Sequence, residues 1–164
     1  MKACIDVDYR DAHAIAACLL FDEWEDAAPS AELTARIEPV EPYVPGQFFR
    51  RELPCILAVL NSVQVPLEVI VIDGYVWLDD RQKPGLGAHL FAALNQQVPV
   101  IGVAKKPFRG AAAHEVIRAN STKPLFVTAA GISVEQAVSS VAQMYGPYRI
   151  PTLLRRVDQL CRSA

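Results

Sequence analysis

Residues 68–74 read Glu-Val-Ile-Val-Ile-Asp-Gly. Four β-branched side chains in a row, Val69 to Ile72, are poorly suited to a helix and pack well in a strand. An apolar run without polar alternation is the mark of a strand covered on both faces, hence central and parallel to a neighbour. Two further runs have the same character, residues 98–104 (VPVIGVA) and residues 125–129 (LFVTA). Residues 2–9 (KACIDVDY) alternate instead, with Ala3, Ile5 and Val7 on one side. Residues 13–24 and 32–38 continue from them as an antiparallel meander, turning at Arg10-Asp11 and again between Asp22 and Ser30.

Helical spacing appears over residues 48–63, 86–94, 134–144 and 152–162, with a shorter helix expected over 112–119. Pro54 inside the first of these must lie in its first turn or kink it. Ser133 is placed to cap the helix that follows it. Residues 39–45 hold Pro39, Pro42 and Pro45, which excludes regular structure there. Strands come first and then alternate with helices. That order predicts an α/β fold, a mixed central sheet with an antiparallel N-terminal meander and helices on both faces. At 164 residues the chain is expected to form one domain, 1–164.

A hydrophobic fraction of 52% and a charged fraction of 21% exclude a disordered or fibrous chain. The longest apolar stretch, Ala14–Phe21, is too short to span a bilayer, and the N-terminal residues lack a signal-peptide core. No membrane partner is expected. Cys4, Cys18, Cys55 and Cys161 show no CxxC spacing and no clustering with histidine, so they read as reduced structural residues of a cytoplasmic protein. The net charge of −2 conceals an asymmetry. Residues 1–80 carry five Lys/Arg and fifteen Asp/Glu, a balance of −10, while residues 81–164 carry eleven and three, a balance of +8. Such a split hints at an anionic partner such as nucleic acid.

Three acids stand where a fold would hold them tightly. Asp6 interrupts the apolar first strand, Asp73 ends the central one, and Glu52 lies on the early turns of the first helix. Each has an ordinary reading alone: a strand-edge acid, an Asp-Gly turn, a solvated helix residue. Converging from two strands and a helix, the three would hold Mg²⁺ or Mn²⁺, which prefer oxygen ligands and can promote phosphodiester chemistry. Lys105 and Lys106 follow directly from the strand 98–104, where a lysine can meet a phosphate as a point charge.

These segments together resemble the endonuclease V family, over nearly the whole chain. Pro42-Tyr43-Val44-Pro45-Gly46 resembles its P-Y-[IV]-P-G segment, Phe49–Glu52 its F-x-x-R-E helix start, and Val71–Gly74 its V-D-G strand end. Gly85–His89, Ile101–Lys106, Pro124–Val127 and Tyr148–Pro151 are similar to later motifs in the same order, and Ile5-Asp6-Val7 to the opening strand. The resemblance implies an RNase H-like fold and a Mg²⁺-dependent endonuclease (Mn²⁺ as a second choice) cutting DNA or RNA near a deaminated base, chiefly inosine. It places Asp6, Glu52 and Asp73 on metal-binding, catalytic carboxylates and Lys105 on a phosphate-contacting catalytic lysine. Pro42, Tyr43, Val44 and Pro45 fall on a wedge that enters the strand beside the lesion, and Gly74 and Lys106 join Lys105 in contacting nucleic acid. Oligomeric state is left open.

Two departures bear on function. The family's G-H-[RK] step after the late strand, whose His serves the metal site, is missing from Phe126–Ser133. Its D-G-x-G-x-x-H-P-R-R loop is replaced by Asp73–Lys83, which introduces Tyr75, Trp77, Asp79 and Asp80. The two new acids read as turn residues or as stand-ins for the missing His. An altered substrate is therefore expected, the alternative being a catalytically weak or inactive RNase H-like protein that binds nucleic acid or a nucleotide.

Overall fold

The computed structural model describes residues 1–38 and 42–164. Strands β1 (Lys2–Tyr9), β2 (Ala14–Phe21) and β3 (Ala31–Ile37) form the meander. They are followed by α1 (Phe48–Leu60), β4 (Val69–Asp73), α2 (Leu86–Ala93), β5 (Val100–Ala104), β6 (His114–Val116), β7 (Leu125–Ala130), α3 (Val134–Gln143) and α4 (Thr152–Ser163). The seven strands make one sheet in the order β3-β2-β1-β4-β5-β7-β6. β1, β4 and β5 run parallel at its centre, flanked by antiparallel pairs on both sides.

The period-2 geometry of the strands divides the core into two layers. Ala3, Ile5, Ile70 and Ile72 face Cys55, Ile56 and Val59 of α1 and Leu90 of α2. Cys4, Val71, Ile101 and Val127 face Ala137 and Val141 of α3 and Leu153 and Val157 of α4. The unbroken apolar run at residues 69–72 is thus explained, because alternate residues go to opposite layers and both are dry.

Residues 112–119 do not form the expected helix. His114–Val116 pair antiparallel with β7, with Val116 against Leu125 and buried while His114 and Glu115 stay exposed. An open sheet edge and one buried anchor outweigh a weak local helical preference. Just beyond, Arg118 is buried and donates to the carbonyls of Met144, Gly146, Tyr148 and Arg149, so a single guanidinium organises the connection from α3 to α4. Pro54 lies in the second turn of α1 without ending it, on an exposed side of the helix. Ser133 caps α3, its Oγ accepting from the N–H of Gln136 at 3.2 Å.

Candidate active site

β1 and β4 pair in parallel up to Ile5 opposite Ile72. One residue further come Asp6 and Asp73, side by side at the carboxyl ends of two central strands, where open α/β sheets place their ligands. Side-chain alternation puts both on the layer that carries α4. Val103 pairs with Asp73, so Lys105, two residues on, projects to that same side. These residues line a cleft of about 390 Å³ whose other wall is formed by Tyr148, Arg149, Leu154, Arg155 and Asp158.

The carboxylates are held against their own preference for water. The N–H of Val7 donates to Asp6 Oδ1 at 2.9 Å, the one favourable contact of that side chain with the backbone. Burial nevertheless pushes Asp6 up to about 7, helped by the neighbouring charges of Asp73 and Asp158. Glu52, on the first turns of α1, is only 5% exposed. Burial and then the charges of Asp6 and Asp73 push it up to about 8, with Arg51 opposing. Its Oε2 is enclosed and has no hydrogen-bond partner among the described residues. Arg51 itself is turned over the ring of Tyr9, 3.8 Å from its centroid. Asp73 is open to the cleft as a residue, yet desolvation of its carboxyl still raises its pKa, opposed by Lys105 and reinforced by Asp158.

The sequence did not single out Asp158. It lies on α4, and ligand atoms of Asp6, Asp158 and Cys161 all fall within 4.8 Å of one another. The signal was nonetheless present. Leu154, Val157, Asp158 and Cys161 follow the i, i+3, i+4, i+7 spacing of an inward helix face, and Asp158 is the one charged member of that set. The Cys161 thiol is pushed up to about 12, chiefly by burial and then by Asp6 and Asp158, so it is protonated and no anionic ligand. Carboxylates of Asp6, Asp73 and Asp158 line the cleft, whereas Glu52 is not among its lining residues, and among the described residues neither Glu52 nor Asp73 joins the close group formed by Asp6, Asp158 and Cys161. An enclosed, unpartnered carboxylate oxygen beside acids that raise one another's pKa fits a divalent cation.

The remaining expected residues are placed as follows. Lys105 and Lys106 are exposed at the end of β5. Gly74 follows Asp73 with φ of +130°, a conformation that suits glycine, and its N–H donates to the Val103 carbonyl. Pro42–Pro45 precede α1 as an exposed segment, with Tyr43 57% accessible, closed by a turn in which Gln47 N–H donates to the Val44 carbonyl. That segment is not among the residues lining the cleft. Asp79 does not stand in for the missing His: its Oδ1 accepts from the N–H groups of Arg81 and Lys83, a turn acid satisfying its own loop. Of the C-terminal arginines, Arg149 and Arg155 face the cleft, while Arg156 pairs with Glu32 and Arg162 with Asp158. No helix among the described residues is long and apolar enough to cross a membrane.

Comparison with known proteins joins this geometry to a family. The endonuclease V family model matches residues 1–127. The endonuclease V of Streptomyces avermitilis is 38% identical across 98% of this chain and 78% of its own length. That of Streptomyces coelicolor is 35% identical across 98% and 77%. The crystal structure of the S. avermitilis enzyme superposes with a TM-score of 0.79 over 99% of this chain and 79% of that one, at 31% identity. An endonuclease V from Ciona intestinalis, solved with a 24mer DNA containing an inosine followed by a ribo-adenosine, superposes with a TM-score of 0.82 over 98% and 84%. At 20% identity that likeness speaks to the fold alone, and the fold shared with the S. avermitilis enzyme is RNase H-like. The chain belongs to the endonuclease V family and is a nuclease acting on phosphodiester bonds.

Proposed function

We propose that this protein is a Mg²⁺-dependent endonuclease of the endonuclease V type. It hydrolyses a phosphodiester near a deaminated base, inosine or a relative of it, in DNA or RNA, with altered substrate recognition. The observation that carries the reading is the enclosed Glu52 Oε2, without a partner, beside Asp6 and Asp73. Without a cation such a carboxyl keeps its proton rather than carry a buried charge, and a bound cation is what would let it ionise there. The all-oxygen donor set favours Mg²⁺, with Mn²⁺ able to replace it.

Asp6, Glu52 and Asp73 would hold the ion, with Asp158 as a fourth carboxylate. When bound, it supplies Lewis acidity towards the phosphodiester and the attacking water. Lys105, at the rim, neutralises a phosphate oxygen and steers the backbone across the carboxylates. Arg149 and Arg155 offer positive charge on the facing wall. Pro42, Tyr43, Val44 and Pro45 form a proline-stiffened segment with an exposed aromatic ring, suited to wedge between bases at low ordering cost. Gly74 and Lys106 complete the nucleic-acid contacts beside Asp73 and Lys105. The whole activity resides in one domain, 1–164, in the cytoplasm.

Altered recognition rests on the segment Asp73–Lys83. Val76 is fully buried and its N–H donates to Thr128 Oγ1 at 2.8 Å. Trp77 Nε1 donates to the Ala129 carbonyl at 3.0 Å, and Tyr75 Oη to the Lys106 carbonyl at 2.7 Å. These bonds anchor the loop to β7 and to the end of β5, so its bulky side chains define whatever base pocket adjoins the cleft.

The test is cleavage of single-stranded and duplex oligonucleotides carrying inosine, uracil or no lesion, with Mg²⁺ or Mn²⁺, by the wild type and by Asp73→Ala. The expected result is metal-dependent cutting of at least one modified substrate, lost in the variant. Wild type that cuts none of them would favour the non-catalytic alternative, and cutting that survives Asp73→Ala would overturn the site.

A further inference from the structure

We propose that Tyr75 and Phe108 form a stacking platform for one base of single-stranded nucleic acid, directly beside the phosphate position of Lys105 and Lys106. The proposal deepens the nucleic-acid reading of the same cleft and rests on it. Nothing in the metal site requires either ring.

Phe108 is 48% exposed, an unusual state for a large apolar side chain on a short loop. Its neighbours explain what it could face. Residues 105–110 read Lys-Lys-Pro-Phe-Arg-Gly, three cations around one aromatic, and no acid occurs between Val98 and His114. The loop is not slack: Pro107 fixes one dihedral, and Ala111 N–H donates to the Phe108 carbonyl at 3.0 Å. Tyr75 reaches over from the segment after Asp73. Its hydroxyl donates to the Lys106 carbonyl, and its ring lies 5.8 Å from that of Phe108 at 53°. Tyr75 thus packs beside Phe108, which stays about half exposed.

A ring held in place, about half exposed and flanked in sequence by Lys105, Lys106 and Arg109, matches the two chemistries of a nucleotide. The base offers a π-face and the phosphate a negative charge. A protein-binding patch would need a larger contiguous apolar area than two rings. The position is continuous with the cleft, because Lys105 lines it and Tyr75 lies two residues beyond Asp73. A strand whose phosphate sits at Lys105 therefore brings a neighbouring base within reach of Phe108. Stacking is indifferent to base identity, so the platform contributes grip and register, not lesion choice.

The test uses the metal-free protein, in EDTA, with short single-stranded deoxyoligonucleotides carrying 2-aminopurine at successive positions. One position should be quenched on binding. Phe108→Ala should remove that quenching and raise Kd about tenfold, the scale of one lost base–aromatic stack, whereas Phe108→Trp should keep both. Replacing the quenched nucleotide by an abasic one should weaken wild-type binding by a similar factor and leave Phe108→Ala unaffected. This arm needs no variant to fold. Unchanged Kd in both arms, or losses that simply multiply when combined, would overturn the platform. Quenching by a wild type that cuts nothing in Mg²⁺ would support the platform and sink the nuclease reading. Cleavage without Phe108-dependent quenching would do the reverse.

Discussion

Asp158 on the last helix meets Asp6 on the first strand, their ligand oxygens within 4.8 Å, so the two ends of the chain close one acidic site. The carboxylate of Asp158 raises the pKa of Asp6 by its charge and by a hydrogen bond, and raises that of Asp73 by its charge. In the metal-free protein this repulsion is set against a largely exposed ion pair with Arg162 at 2.8 Å, and in the proposed metal-bound form Asp158 would add an oxygen ligand. Asp158→Asn should separate these effects. Cleavage at limiting Mg²⁺ should fall at least tenfold, with recovery at higher Mg²⁺, while the metal-free protein melts at the same or a higher temperature. A melting temperature that drops together with activity would reduce Asp158 to a structural residue.

The pH dependence of stability follows from the same cluster. Asp6 and Glu52 titrate near 7 and 8 in the folded chain, against about 4 in the unfolded one. Below pH 4 both states hold the protons and the acids cost nothing. Between pH 4 and 8 the unfolded chain gives up protons that the folded one retains, so stability declines as pH rises through that window. Without divalent metal, Tm should be higher at pH 5 than at pH 8. Saturating Mg²⁺ should raise Tm more at pH 8 than at pH 5, since it binds the ionised acids. Thermal melts in EDTA and in Mg²⁺ at the two pH values check both signs.

How far this was legible in the sequence depends on the type of residue. The parallel centre, the meander and the helices on both faces could be read from the apolar runs, because burial on two faces leaves a period that a single chain displays. Asp6, Glu52 and Asp73 stood out in the sequence because each sits at an awkward local place, inside a strand, on a helix start or at a strand end. Asp158 was legible only as the one charged member of an apolar helix face, and only the packing of α4 on β1 shows what that face meets. The strand at His114–Val116 escaped for a related reason. A three-residue edge strand has almost no pattern of its own and exists through its register with β7. Arg118 was indistinguishable from a surface arginine until the carbonyls of residues 144–149 gathered round it.

That arginine supports a further prediction. Arg118 is buried and its guanidinium donates to the carbonyls of Tyr148 (2.6 Å) and Arg149 (3.1 Å), and also to that of Met144. A charged donor contributes about 1.5–3 kcal/mol where its removal leaves an acceptor buried, and here only the Met144 carbonyl bond is buried. Arg118→Ala should therefore lower Tm by roughly 5–10 °C. Arg118→Lys should recover little of it, because an ammonium cannot reproduce the planar fork. Since Tyr148 and Arg149 also wall the cleft, nucleic-acid binding should weaken in both variants. A Lys variant with wild-type Tm would show that charge, not the fork, holds this connection.

Gly102 provides the sharpest link between backbone and chemistry. It lies on β5 opposite Ile72 and Thr128, and a Cβ there would stand 2.5 Å from the Gly74 carbonyl oxygen, 2.8 Å from Thr128 Oγ1 and 3.0 Å from Val76 N. The nearest obstacle is backbone, immediately after Asp73, and the second is the hydroxyl that accepts the Val76 N–H. Gly102→Ala must push β5 away from the end of β4, at a cost of about 1–3 kcal/mol for overpacking. The displacement falls on Asp73 and on Lys105, the two groups between which the proposed reading lays a phosphate over the carboxylates. A misplacement near 1 Å is worth about a hundredfold in rate. The expected outcome is a folded protein with Tm lowered by a few degrees, and with cleavage reduced much more than that loss of stability explains. Single-turnover cleavage and thermal melts on one preparation check this, and an Ala variant with wild-type turnover would mean that β5 and β4 are not held at the spacing described.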